Sequence, residues 1–122
     1  MTFLARLFGR AAVPSRPMAW IEPPDLAARL GGANAPLVLD VRGPDEFAGP
    51  LGHVPEALNI PLPDLRRRMG EVTGASRGVV TVCLTDRRSA AAAAQLRAAG
   101  LSDVAVLRGG MRAWRALALP TG

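Results

Sequence analysis

The chain has 122 residues, one ordinary domain, and 49% of them are apolar, enough for a single core. Its basic residues are fifteen arginines and no lysine; against ten acids they leave a net charge of +5. With no cluster of zinc ligands and no aromatics interleaved among the arginines, nucleic acid is a weak reading of that charge, and small anions or an acidic surface remain. One cysteine, Cys83, excludes an internal disulfide and a thiolate metal site of its own, and no run of 18 apolar residues offers a membrane span.

Residues 1–18 read as an extension. Phe3, Leu4, Leu7 and Phe8 share a helical face, and Pro14 and Pro17 end any helix there. A short helix packed on the domain or on a partner is expected; contact with a membrane surface through residues 1–12 is the alternative, and disorder a third reading. Arg6 and Arg10 interrupt the apolar run that a secretory signal needs, so a reducing cytoplasm is the expected location.

From residue 19 to 122 short apolar runs alternate with helical patterns. "AWIE" is a strand, and "PPDLAARLGG" a helix with proline at its start and glycine past its end. "PLVLDV" is a strand buried on both faces, "GPDEFAG" a short helix and "ALNIP" a strand. "LPDLRRRMG" is expected to be a helix with Arg66, Arg67 and Arg68 on a solvated face. "GVVTVC" reads as the most central strand. A helix from Arg88 to Ala99, closed by Gly100, follows; "DVAVL" is a strand and "GGMRAWRAL" the last helix, with Met111, Trp114 and Leu117 in the core. Strands alternating with helices predict an α/β domain, a parallel sheet with helices on both faces.

Cys83 ends the strand "VVTV", and ligands of open α/β sheets bind beyond the carboxyl ends of the strands. A lone thiol is a buried small hydrophobe, a nucleophile or a contact between chains. Here a helix is expected to start within "DRRS". The backbone N–H groups of Leu84, Thr85, Asp86, Arg87 and Arg88 would then surround a point in front of the sulfur, at the positive end of a helix dipole. Such a place favours an anion and a thiolate open to solvent, which is an activated nucleophile. Ala90 to Ala94 make a slim helix that can bring its start onto the thiol.

"LVLDVRGPDEF", "GHVPEALNIP", "VCLTDRRSA", "GLSDVAVLRGGMRAW" and a final "LP" follow one another as in the single-domain rhodaneses, and the chain resembles that family over residues 20–120. The resemblance implies a five-stranded parallel sheet and a sulfurtransferase. Cys83 would take the sulfane sulfur of thiosulfate, or of a persulfide carried on a protein or small molecule, and hand it to a thiol or cyanide. It implies no metal and no cofactor. Leu84 to Arg88, with Ser89, would bind the anionic sulfur donor. A non-catalytic module that binds partners or senses redox state is the alternative.

Loop length argues separately. Related phosphatases use C-x5-R, whereas Cys83 to Arg88 is C-x4-R, with Ser89 where the phosphatase arginine would stand. Asp86 stands where family loops often carry glycine, and is expected to face outward or to pair with Arg87 or Arg88. Glu56 likewise stands where glycine is common after "HVP". His53 resembles a loop-architecture position, with a general-base role as the alternative. Asp40, Arg42 and Glu46 are expected to form ion pairs tying the second strand to the next helix, and Arg88 to bind an anion or brace the loop.

Overall fold

The computed structural model describes residues 18–122. The expected helix through Phe3, Leu4, Leu7 and Phe8, and its membrane alternative, lie outside the described residues. Five strands form one parallel sheet: β1 (Ala19–Ile21), β2 (Leu37–Asp40), β3 (Leu58–Asn59), β4 (Val79–Val82) and β5 (Val104–Leu107), in the order β1-β5-β4-β2-β3. The helices are α1 (Pro23–Arg29), α2 (Pro44–Phe47), α3 (Gly70–Thr73), α4 (Arg87–Ala98) and α5 (Gly110–Ala116). The expected α/β sheet is thus present, and "VVTV" is its middle strand.

Alternation along β4 divides the core. Val79 and Cys83 face one layer with Ala92, Ala93 and Leu96 of α4 and with Leu65 and Val72. Val80 and Val82 face the other, with Leu26 of α1 and Met111 and Trp114 of α5. Successive strand residues point to opposite faces, so two helical layers need a strand apolar throughout, and all four residues of β2 and of β4 are buried. The chain leaves β2 towards β3 and leaves β4 towards β5, on opposite sides. The gap between the carboxyl ends of β2 and β4 is therefore the switch point where such sheets open a crevice.

Two expectations are corrected. The stretch Leu62 to Gly70 is not one helix: a 3-10 turn spans Leu62–Asp64, further turns follow, and α3 begins at Gly70. Pro63 lacks an N–H, and the bonds that form close over three residues, from Asp64 to Pro61 and from Leu65 to Leu62. Arg66 and Arg67 are exposed as expected, while Arg68 is half-buried and pairs with Glu71 at 2.8 Å. Met111 and Trp114 are buried, but Leu117 is 53% exposed. The helix ends at Ala116 and Ala118 turns the chain at φ 55°, so Leu119 packs on the core instead.

Candidate active site

Cys83 follows β4 directly, and α4 starts at Arg87, so four residues, Cys83 to Asp86, link strand to helix. The first N–H groups of a helix have no partner within it. Asp86 occupies the capping position without a side-chain bond. The sulfur serves instead: the Ser89 N–H donates to Cys83 Sγ at 3.4 Å, and the Ser89 hydroxyl lies 3.3 Å from it. Ser89 is wholly buried, so its hydroxyl is committed to the sulfur. The alanines of α4 allow this approach, since Ala92 and Ala93 lie flat on the sheet with no exposed surface.

The back of the loop rests on α5. Met111 N–H donates to the Cys83 carbonyl at 2.9 Å and Arg112 N–H to the Leu84 carbonyl at 3.0 Å. A β-carbon on Gly110 would strike the carbonyl oxygens of Cys83, Leu84 and Thr85, and Gly110 has φ +57°. Only glycine combines that backbone with that closeness. In a trans peptide the N–H points away from the preceding C=O. The N–H groups of Leu84, Thr85 and Asp86 therefore face away from α5. Among the described residues, none accepts a hydrogen bond from the N–H of Leu84, Thr85, Asp86, Arg87 or Arg88. The sequence signal for Gly110 was the glycine pair in "RGGM", noticed only as part of a longer match.

β2 supplies the other wall. Asp40 and Arg42 form a buried pair, 2.8 Å from Arg42 Nη2 to Asp40 Oδ2, with a second bond from Arg42 Nε to Asp40 Oδ1 at 3.0 Å. Arg42 also donates to the carbonyls of Glu46 and Gly52. Asn59, which sequence reasoning passed over, donates to the carbonyls of Asp40 and Arg42 and ties β3 to this bend. A polar residue in the short strand "ALNIP" was the available signal.

The carboxylate of Glu46 does not join that pair. It crosses the crevice to Arg88, with bonds of 2.8 and 3.0 Å between residues 42 apart in sequence. The Arg88 guanidinium at hydrogen-bond distance holds the Glu46 carboxyl down at about 2, and Glu46 in turn raises Arg88. Arg88 is thus tied across the crevice, and its partner is Glu46 rather than Asp86. Asp86 has φ −150°, so the left-handed angle that glycine would have eased is not used there. Glu56 does use it, at φ 63°. His53 stacks on Phe47 with ring centroids 3.8 Å apart, and its Nδ1 donates to the Phe47 carbonyl at 3.0 Å. That contact holds loop shape beside Arg42. Arg87 is exposed, and Leu84, Thr85 and Asp86 are half-buried.

One expectation about the thiol itself is overturned: Cys83 is only 1% exposed, not open to solvent. Cys83 packs with Ala92, Ala93 and Leu96 of α4, and Ser89 of the first turn lies against the sulfur.

Residues 22–117 match the model of the rhodanese-like domain. The chain belongs to the rhodanese-like domain family. A curated relative, a sulfurtransferase of Allochromatium vinosum, is 37% identical over 82% of this chain and 91% of its own. The crystal structure of a rhodanese-like domain protein from Staphylococcus aureus shares 28% identity over 86% of this chain and 99% of its own, with a TM-score of 0.73. A protein of unknown function from Rhodopseudomonas palustris, a possible tyrosine phosphatase, shares 25% over 86% of this chain and 85% of its own, with a TM-score of 0.78. In the present rhodanese-like domain, Ser89 holds the place that the C-x5-R signature gives to arginine.

Proposed function

We propose that this rhodanese-like domain is a sulfurtransferase with Cys83 as its nucleophile. The observation that carries the reading is the junction of β4 and α4: a sulfur that accepts from Ser89, under a loop whose next five N–H groups have no partner among the described residues. In the first step the Cys83 thiolate attacks the outer sulfur of thiosulfate. A sulfur–sulfur bond forms, the bond to the sulfonate sulfur breaks, and sulfite leaves with the electron pair. The product is a Cys83 persulfide anion. A thiolate or cyanide then attacks the terminal sulfur and restores the Cys83 thiolate. Oxidation levels balance without an added oxidant, metal or cofactor. Loop N–H groups would hold the persulfide charge as an oxyanion hole holds developing charge.

The sulfur is only 1% exposed, which favours a small anionic donor over a protein persulfide that would need surface to meet. A free thiol that must stay reduced between turnovers suits the cytoplasm. Among the described residues no helix is long and apolar enough to cross a membrane. We assign residues 19–122 to the catalytic domain.

The same burial favours a second reading, a rhodanese-like module that binds a partner without turnover. Mass spectrometry after brief incubation with thiosulfate separates the two. The expected result is a gain of about one sulfur atom, removed by cyanide and absent in Cys83→Ser. No adduct from thiosulfate, a small persulfide or a protein persulfide would replace the enzyme reading with the module.

A further inference from the structure

β4 is apolar on both faces except at one position. Thr81 lies between Val80 and Val82, is wholly buried, and points to the same face as Cys83. A hydroxyl in such surroundings needs a partner. Its Oγ1 donates to the Ser89 carbonyl at 2.8 Å. A carbonyl this far into a helix already accepts from the residue four further on, so the bond is not required to complete α4. What it does is set where the first turn of α4 lies over the strand.

The next polar atoms along the same line are those on the sulfur. Ser89 receives Thr81 on its carbonyl and presents its N–H and hydroxyl to Cys83 Sγ at 3.4 and 3.3 Å. We infer that Thr81 is a positioning residue for Cys83: its hydroxyl registers Ser89 so that both donors of that residue converge on the sulfur. The proposal rests on the reading of Cys83 as nucleophile for its meaning, but its geometry is testable without turnover. Asp40, at the end of the neighbouring strand, and Arg42 just beyond it are buried charges paired with each other, and do not compete for this hydroxyl.

Thr81→Val keeps the shape and removes the hydroxyl; Thr81→Ser keeps the hydroxyl. Amide hydrogen exchange by NMR reads the Ser89 N–H directly, with the buried Leu96 amide further along α4 as the reference, because the Ala93 N–H shares the Ser89 carbonyl with Thr81. In Thr81→Val the Ser89 amide should exchange about tenfold faster relative to Leu96. The kcat for transfer from thiosulfate to cyanide should fall about tenfold with KM within about twofold, and Thr81→Ser should restore both. If Thr81→Val does not fold, Thr81→Ala is read in the same way. A folded variant without the hydroxyl whose Ser89 exchange and kcat equal the wild type overturns the proposal. If the wild type transfers no sulfur at all, the proposed function fails while the exchange ratio still decides the role of Thr81.

Discussion

Glu46 and Arg88 meet at the rim of the crevice, their side chains 40% and 38% exposed. Solvent screens a pair so placed, and its worth is about 0.5–1 kcal/mol rather than what the depressed carboxyl alone suggests. Glu46→Gln should lower stability by about that amount in a urea titration at pH 7. The carboxyl is lower in the folded chain, about 2, than its ordinary 4.5. Its contribution is therefore complete above pH 4.5 and disappears as pH falls towards 2. Wild type and Glu46→Gln should converge in stability over that window, and a gap that widens there would contradict the assignment. Glu56 offers the opposite sign. It is exposed and holds φ 63°, a conformation that costs a side chain about 1–2 kcal/mol and glycine little. Glu56→Gly should raise stability by about 0.5–1 kcal/mol once the extra chain entropy of glycine is deducted, visible as a higher melting midpoint.

Among the elements, the contact of α5 with the loop is the least forgiving. Two N–H bonds from the first turn of α5 turn the loop carbonyls away from the crevice, and Gly110 alone lets the helix come that close. Gly110→Ala adds a clash with three carbonyl oxygens to an unfavourable φ. It should cost about 2–4 kcal/mol by chemical denaturation and should abolish sulfur loading in whatever fraction remains folded. Wild-type loading in that variant would mean that the loop does not depend on α5. The alanines of α4 serve the same end from the other side, because Ala92 and Ala93 let Ser89 reach the sulfur.

For the whole molecule, uninterrupted runs such as "LVLD" and "VVTV" made the strands legible, and proline and glycine marked where helices start and stop. Those signals are local, and so was the place of Cys83 at the end of the middle strand. What stayed hidden depends on segments meeting in space. Glu46 was read with its neighbours Asp40 and Arg42, yet its carboxylate belongs to Arg88, 42 residues away. The burial of Cys83 depends on how closely an alanine helix settles, which no run of residues encodes by itself. Leu117 followed the helical period but lay one residue beyond the end of the helix. Thr81 was visible as a lone polar residue in an apolar strand, but its purpose needed the position of Ser89.

That a sulfur atom terminates the start of the twelve-residue α4 ties chemistry to heat resistance. Charging Cys83 with a second sulfur carries the negative charge outward to the loop N–H groups that have no partner among the described residues, worth about 0.3–1 kcal/mol. The charged protein should melt a few degrees above the empty one, and cyanide should bring it back. A simple thermal scan thus becomes a gauge of cargo, usable to rank donors before any product assay exists.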